Sequence, residues 1–378
     1  MIRMDIYDEL GVRKIINGNA TLTQLGGSTM PSHVVAAMAE ASRHFVDIDE
    51  LQDKVGQKIA KLTNNEAGYV SCGAAAGMVL SIAACMTGLD PDKRARLPST
   101  RGMKNEVIVH RHGRPGFDFA VTQTGARLVE IGTQKGTSRR QMEQAISAKT
   151  AAILYFYNEA TMQGQVPLKE GIIIGKRHGV PVIVDAAAQL PPVENLWKFT
   201  RMGADLVLFS GGKGLCGPQS SGLILGRRDL IEACAFNACP RHFIGRPMKV
   251  GKEEIVGVLA ALEWYLGLDH AKLMDTYEDQ VRYLVEEFSG LDGVSARRSF
   301  PSEAGQPMPR AEITFDEGKV GVTRDAILTR LWEGTPAISL APAGERGVFV
   351  NPQTLIPGEE RIVSARIRDI IGSKGETP

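Results

Sequence analysis

The sequence has little that would mark a secreted, membrane-spanning or nucleic-acid-binding protein. Its five cysteines are odd in number and scattered without paired metal-ligand spacing, which argues against a disulfide framework and indicates reduced thiols. No apolar run approaches the roughly 20 residues that span a bilayer, and the first residues lack the pattern of a secretory signal. The formal net charge of +1 gives no general attraction to nucleic acid or anionic lipid. We therefore expect a soluble, cytoplasmic protein without a metal site.

The 378 residues are enough for two domains, and hydrophobic and charged residues make up ordinary shares of 43% and 23%. From residue 67 to residue 209, short apolar segments alternate with segments of helical periodicity. We predict strands at 67–70, 106–109, 127–131, 151–157, 180–184 and 205–209, and helices at 74–86, 139–146, 169–178 and 196–202. This alternation predicts an α/β fold with a mostly parallel sheet covered by helices on both faces.

After residue 241 the pattern changes to that of a smaller α+β domain. Helices are predicted at 250–266, 271–289, 324–333 and 359–371, and strands at 310–315, 337–340 and 347–350, the last two as a pair. A further helix is expected at 34–45, within an otherwise irregular N-terminal stretch. The proline-rich residues 300–309 indicate a surface loop.

The most informative feature is Lys213, which lies in a glycine-rich turn between the apolar segments 206–209 and 223–225. Burial lowers the pKa of a lysine and makes its amine a nucleophile. Asp185 ends another apolar segment just upstream. A pyridoxal phosphate site needs this pair, because the carboxylate keeps the pyridine nitrogen protonated while the lysine carries the cofactor as an imine. We expect Lys213 and Asp185 to serve these roles.

Two other interpretations of the lysine turn are possible. Residues 212–217 formally match the G-x-G-x-x-G pattern of dinucleotide-binding loops, but Pro218 and a further strand follow where that loop needs a helix. A structural lysine in a tight turn is the default for an isolated lysine. The paired Asp185 and the flanking strands favour the cofactor site.

A phosphate site is indicated where a strand enters a helix through Gly73, Ala74 and Ala75. Free N–H groups and the dipole at a helix start attract anions. Ser210, next to the lysine turn, is expected to add a hydroxyl. The alternative is close packing of helix on sheet, which also selects small residues.

Other polar residues follow predicted strands at the edge where ligands bind in open α/β sheets. His110 or His112 is a candidate acid–base group or ring-stacking residue, against the alternative of a solvated basic loop. Asn158 and Gln189 are further candidate cofactor ligands. Candidate substrate-binding cations are Arg111 and a cluster that precedes a long helix, Arg246, Lys249 and Lys252. Such cations bind phosphate or carboxylate, and ordinary surface charge is the alternative.

These segments together resemble the selenocysteine synthase-like branch of fold-type I pyridoxal phosphate enzymes. The sequence at 209–222, FSGGKGLCGPQSSG, is similar to the family motif whose lysine holds the cofactor, and residues 16–21, 125–133 and 245–252 look like family segments. The resemblance covers nearly the whole chain. It implies a large cofactor domain at 51–245 with a seven-stranded type of sheet, and a small domain at 246–378. It also implies an N-terminal segment, 1–50, that contributes to the active site and the small domain, and an active site at a homodimer interface.

Departures from the family pattern bear on the substrate. Gly212 replaces the family's Asp before the lysine, and Ala-Ala-Ala follows Asp185 where the family has Leu-Gly-Ser. The chain also begins almost directly at the catalytic-domain motif, whereas selenocysteine synthase carries an N-terminal tRNA-binding extension. A tRNA substrate is therefore not expected. The resemblance is closer to the metabolic members similar to D-glucosaminate-6-phosphate ammonia-lyase.

The expected function is that of a pyridoxal phosphate-dependent lyase. It would release ammonia by α,β-elimination from a small anionic or phosphorylated amino acid or amino-sugar acid, with Lys213 removing the α-proton and His110 or His112 protonating the leaving oxygen. Aminotransfer, racemisation and aldol cleavage remain open alternatives. More distant ones are a selenocysteine synthase-type transferase and a cofactor-binding protein without catalysis.

Overall fold

The computed structural model describes residues 5–372. In chain order the helices are α1 (Ile6–Glu9), α2 (Ser32–Ala41), α3 (Ile48–Leu62), α4 (Ala74–Thr87), α5 (Pro91–Arg96), α6 (Asp118–Thr122), α7 (Arg139–Ala145), α8 (Leu168–His178), α9 (Asn195–Arg201), α10 (Arg228–Asn237), α11 (Lys252–Leu266), α12 (His270–Phe288), α13 (Glu317–Val320), α14 (Arg324–Glu333) and α15 (Glu359–Gly372). The strands are β1 (Ile15–Asn17), β2 (Ala67–Ser71), β3 (Glu106–His110), β4 (Arg127–Ile131), β5 (Thr150–Phe156), β6 (Val182–Asp185), β7 (Leu206–Ser210), β8 (Gly222–Gly226), β9 (Val294–Ser299), β10 (Arg310–Phe315), β11 (Ala337–Ser339), β12 (Ala341–Ala343) and β13 (Gly347–Val350).

Within the described residues the chain forms two compact units. The larger unit comprises Ser28–Leu268 together with the short segment Glu303–Gln306. The smaller unit comprises residues 5–27, Asp269–Ser302 and 307–372. The sequence placed the boundary after residue 245, but α11 packs on α2 and α3 and so belongs to the larger unit.

The larger unit is built on a sheet that contains seven strands among the described residues, in the order β2-β8-β7-β6-β5-β3-β4. Neighbours from β7 to β4 are parallel, whereas β8 runs antiparallel to both β7 and β2. The central strands are buried along their length, as parallel strands covered on both faces must be. The predicted α/β class and the mostly parallel sheet are confirmed.

Two apolar cores cover the two faces of this sheet. Ile183 of β6 points into the core formed with α4, α6 and α10, and Val182 and Val184 point into the core formed with α3, α8 and α11. This alternation follows from the two-residue period of a strand. Because β2 is parallel to β7, the carboxyl ends of β2, β3, β5, β6 and β7 lie along one edge of the sheet.

The smaller unit contains an antiparallel sheet in the order β12-β13-β10-β9 and a parallel pair of β1 with β11. The predicted pairing of 337–340 with 347–350 is therefore wrong. The antiparallel partners of β13 are β12 and β10, and β11 pairs with a strand more than three hundred residues earlier in the chain, Ile15 lying opposite Ala337.

Several short elements differ from the sequence prediction. The helices α5, α6 and α10 and the strands β1 and β9 were not predicted, and α2 ends at Ala41 instead of residue 45. Short helices carry few turns of periodic signal, so flanking loops obscure them. Among the described residues, no helix combines the length and apolar character needed to cross a membrane.

Candidate active site

Lys213 lies in the tight loop that joins β7 to β8 at the carboxyl edge of the sheet. Backbone hydrogen bonds close this loop: the Gly211 N–H donates to the Ser221 carbonyl at 2.9 Å, and the Cys216 N–H donates to the Lys213 carbonyl at 2.9 Å. The Ser28 hydroxyl donates to the Gly212 carbonyl at 3.1 Å. The lysine is therefore held by its own backbone and by a residue far away in sequence.

The surroundings of Lys213 favour a neutral amine. Burial lowers the pKa of the lysine below its ordinary value, and the negative charges of Asp185 and Glu303 oppose part of this effect. A lowered pKa makes the neutral amine, the form that acts as a nucleophile and as a base, easier to reach. Attachment of a carbonyl cofactor requires that form.

Asp185 ends β6, the strand next to β7. Its Oδ1 accepts a hydrogen bond from the Ala187 N–H at 3.1 Å. Burial raises the pKa of the carboxyl to about 6, with the Ala187 N–H and Lys213 acting in the opposite direction. The group is thus mostly ionised at neutral pH, so it can pair with a protonated ring nitrogen.

The start of α4 is the candidate phosphate site that the sequence predicts. Helix α4 begins at Ala74 after Gly73, whose φ of 113° disfavours residues with a side chain. Gly222 of β8 lies between Ser71 of β2 and Ser210 of β7 in the register of the sheet. A Cβ on Gly222 would lie 2.7 Å from the Gly73 carbonyl carbon and 2.9 Å from the Ala74 nitrogen. The free N–H groups of the helix start and Ser210 are thus brought to one place, which fits a phosphate group.

Gly222→Ala should weaken cofactor binding, because the added methyl group must displace the backbone at the start of α4. We expect the affinity of the apoprotein for pyridoxal phosphate to fall by about tenfold or more, the loss of roughly one charge-assisted hydrogen bond. Absorbance titration with the cofactor measures this.

The matched control is Gly116→Ala, because a Cβ at Gly116 meets no atom within 4 Å. Thermal unfolding of both apoproteins shows whether the fold is retained. Equal cofactor affinities in the two variants would contradict a cradle at the start of α4.

His110 has a structural role that the sequence did not indicate. The side chain is only 4% exposed, its Nε2 accepts a hydrogen bond from the Val166 N–H at 3.2 Å, and its ring lies 4.8 Å from that of Tyr155. Burial, with a contribution from His112, lowers the pKa of His110 to about 4. A neutral imidazole whose acceptor nitrogen is already used cannot donate a proton to a leaving group, so we no longer assign His110 a catalytic role.

His112 follows β3 and is only partly buried. Its Nδ1 lies 2.7 Å from the Gln134 carbonyl, and its ring packs on the backbone of Gly164. The carbonyl requires a proton on Nδ1, so this contact fixes the tautomer and the orientation of the ring. His112 therefore remains the candidate acid–base or ring-stacking residue of this loop.

Asn158 and Gln189 contact the segment Glu303–Gln306. The Asn158 Nδ2 donates to the Glu303 carbonyl at 3.4 Å, and its Oδ1 accepts from the Ala160 N–H at 2.9 Å. The Gln189 Nε2 donates to the Ala304 carbonyl at 2.9 Å. Both residues lie at the carboxyl edge, as predicted, but these contacts make them supports of a neighbouring segment. Nothing in the sequence of residues 300–309 beyond its prolines indicated this position.

The candidate substrate-binding cations differ in their environment. The Lys252 Nζ donates to the Ala41 carbonyl at 2.8 Å and forms an ion pair with Glu253, so its charge is already neutralised. Arg246 and Lys249 are exposed. Arg111 is also exposed and lies 3.9 Å from Glu130. Arg246 and Lys249 therefore remain the candidate cations for an anionic ligand.

Comparison with known proteins addresses the family directly. Residues 15–278 match the family model described as L-seryl-tRNA selenium transferase. The chain is 33% identical to a D-glucosaminate-6-phosphate ammonia lyase of Salmonella typhimurium, over 97% of this chain and 98% of that protein. The chain belongs to the L-seryl-tRNA selenium transferase family.

Within this family, other relatives define the range of activities. A 5'-C-glycyluridine monooxygenase-decarboxylase of a Streptomyces species is 33% identical over 98% of this chain and 93% of that protein. An L-seryl-tRNA(Sec) selenium transferase of Desulfomicrobium baculatum is 24% identical over 95% of this chain and 83% of that protein. The sequence-based resemblance is thereby confirmed.

Solved structures agree with this assignment. The structure of a D-glucosaminate-6-phosphate ammonia-lyase superposes with a TM-score of 0.87 at 32% identity, covering 98% of this chain and 99% of that chain. A serine palmitoyltransferase from S. paucimobilis matches with a TM-score of 0.58 at 15% identity, covering 95% of this chain and 87% of that chain, which shows the fold alone. This member of the L-seryl-tRNA selenium transferase family has the fold of pyridoxal phosphate enzymes, and pyridoxal 5'-phosphate is its cofactor.

Proposed function

We propose that the protein is an ammonia-lyase that acts on a small anionic amino acid or amino-sugar acid such as D-glucosaminate 6-phosphate. The observation that carries the proposal is the pair of Lys213 and Asp185 on neighbouring strand ends, in a chain that is similar over almost its whole length to an ammonia-lyase. When bound, pyridoxal phosphate supplies an electron sink for negative charge that develops on the substrate.

The residues of the chain then have defined tasks. Lys213 holds the cofactor through its amine until the amine of the substrate takes its place, and the released Lys213 amine then takes the proton from the α-carbon of the substrate. Asp185 provides a negative charge for the ring nitrogen, and the start of α4 with Ser210 receives the phosphate. We assign His112 the task of relaying a proton to the leaving oxygen: the Gln134 carbonyl engages the Nδ1–H, so Nε2 first takes up a proton from solvent and then gives it to the leaving oxygen.

We propose that Arg246 and Lys249 bind an anionic group of the substrate, because both are exposed cations that precede α11.

A homodimer or a larger homo-oligomer is also part of the proposal. Phe45, between α2 and α3, is fully exposed, and its neighbour Val46 and Val35 of α2 are about half exposed, at 48% and 47%. Exposed large apolar side chains of this kind are typical of a surface that another chain covers.

A cytoplasmic location is proposed for the same protein. The cysteines in the described residues are free thiols, as expected in a reducing compartment.

The 33% identity to a 5'-C-glycyluridine monooxygenase-decarboxylase supports a second candidate function, oxidative decarboxylation of an amino acid linked to a nucleoside. That relative is as similar in sequence as the ammonia lyase, so the substrate screen must include both reactions. Dioxygen consumption and carbon dioxide release would identify this alternative.

The screen should compare phosphorylated and plain amino-sugar acids and β-hydroxy amino acids. We expect 2-oxo acid and ammonia from a phosphorylated substrate without any amino acceptor. Arg246→Ala should raise KM for that substrate by about one to two decades and leave the plain analogue almost unchanged, because a charge-assisted hydrogen bond is worth roughly 1.5–3 kcal/mol.

The control is Arg101→Ala, an exposed arginine elsewhere in the larger unit. A strict requirement for a second 2-oxo acid would show that the protein is an aminotransferase and not a lyase. Equal effects of Arg246→Ala on both substrates would contradict the proposed contact between Arg246 and a phosphate group.

A further inference from the structure

A short strap, defined here as Glu303–Gln306, lies against the carboxyl edge of the large sheet. It belongs to the larger unit, although the chain on both sides of it belongs to the smaller one. Its last residue, Gln306, is 3% exposed, and its Nε2 donates to the Leu190 carbonyl at 2.6 Å. This hydrogen bond anchors the strap at one place, because burying the Gln306 side-chain amide without a partner would cost free energy.

The other end of the strap is anchored beside the strand ends that carry the active site. The carbonyls of Glu303 and Ala304 accept the side-chain hydrogen bonds of Asn158, which follows β5, and of Gln189, which follows β6. Gly305 has a φ of 73°, and a Cβ there would lie 2.8 Å from the Ala160 nitrogen, so the backbone fits closely in this position.

We propose that Glu303, delivered by the strap, is a second carboxylate of the Lys213 site and a positioning residue for the lysine amine. The inference deepens the proposed function and rests on the assigned role of Lys213. Its side chain is exposed, whereas the backbone that carries it is fixed on Asn158. The strap also reaches the lysine loop: the Leu190 carbonyl that Gln306 binds lies so close to Gly214, the residue after Lys213, that a Cβ there would clash with it. At this position the negative charge of Glu303, like that of Asp185, favours a higher pKa of Lys213.

A second carboxylate has a physical purpose at this site. When the cofactor is bound, the charge of Asp185 is taken up by the ring nitrogen. Lys213 becomes an ammonium each time it takes a proton from the substrate, and a cation in a half-buried site needs a counter-charge. Glu303 supplies that charge and draws the ammonium to one side, which orients the Lys213 amine.

The test uses the apoprotein and therefore needs no cofactor. Acetylation of Lys213 by acetic anhydride is followed by mass spectrometry as a function of pH, and the midpoint gives the pKa of the amine. Glu303→Gln is expected to lower this midpoint by about 0.5 pH units, the effect of one screened charge at a moderate distance. Glu303→Asp should restore part of the shift.

Two further variants separate the inference from a general effect of charge. Glu159→Gln removes a carboxylate of the loop that the strap contacts, and it should leave the midpoint unchanged. Gln306→Leu loosens the strap and should lower the midpoint, with no further change when it is combined with Glu303→Gln.

An unchanged midpoint in Glu303→Gln, or an equal shift in Glu159→Gln, would overturn the inference. Thermal unfolding of each apoprotein confirms that the fold is retained. If Lys213 does not bind the cofactor, the absorbance of the holoenzyme is absent while this titration is unaffected, so the two failures are distinguishable.

Discussion

Lys213→Ala is expected to abolish the activity of the enzyme and its covalent attachment to pyridoxal phosphate. The Lys213 amine is held in the loop between β7 and β8, and burial lowers its pKa. Because the substitution removes this amine, it removes both the attachment point of the cofactor and the base. General acid–base catalysis alone contributes about 100- to 10,000-fold, so we expect kcat to fall by at least about 1,000-fold. Borohydride reduction of the wild-type holoenzyme, followed by mass spectrometry, should locate the cofactor on Lys213.

The matched control is Lys176→Ala, an exposed lysine in the last turn of α8. It should keep the absorbance of the bound cofactor and the activity of the wild type. Recovery of the reduced cofactor on another lysine, or activity of Lys213→Ala near that of Lys176→Ala, would contradict the assignment.

The central pair of the site could be predicted from the sequence because each residue lies at or just after the end of an apolar strand. Asp185 ends β6 and Lys213 follows β7 by three residues, and parallel neighbours such as β6 and β7 necessarily bring their carboxyl ends together. The same reasoning placed Gly73 at a helix start. These inferences need only the local pattern and the rules of parallel sheets.

The rest of the site depends on contacts that the local pattern does not encode. Gly222 lies beside the candidate phosphate site only because β8 lies between β2 and β7, and the order of strands is not visible in the sequence. Glu303 meets Asn158 across 145 residues. His110 was misjudged because a strand buried on both faces lacks the polar alternation that would show which way a side chain points.

Asp185→Asn should lower the activity of the holoenzyme but raise the stability of the apoprotein. The variant loses the negative charge that keeps the ring nitrogen protonated, and we expect kcat/KM to fall by about 100-fold, the upper range for one charge-assisted contact. Burial raises the pKa of Asp185 from 3.8 to about 6, so keeping this carboxylate ionised in the folded chain costs free energy of folding. Asparagine carries no charge and removes that cost.

The pH dependence of the apoprotein tests the sign of this effect. The raised pKa means that the stability contributed by protonated Asp185 is fully present below pH 3.8 and is lost as the pH rises through about 6. Asp185→Asn should therefore exceed the wild type in free energy of unfolding by on the order of 2 kcal/mol at pH 8, after allowance for solvent screening of a partly exposed group. The difference should shrink as the pH falls from 6 to 4.

Urea unfolding of both apoproteins across this pH range measures the difference, with Asp92→Asn, on the exposed helix α5, as the control. A constant difference would show that Asp185 is not the titrating group, whereas a shrinking one identifies a carboxylate whose burial costs stability.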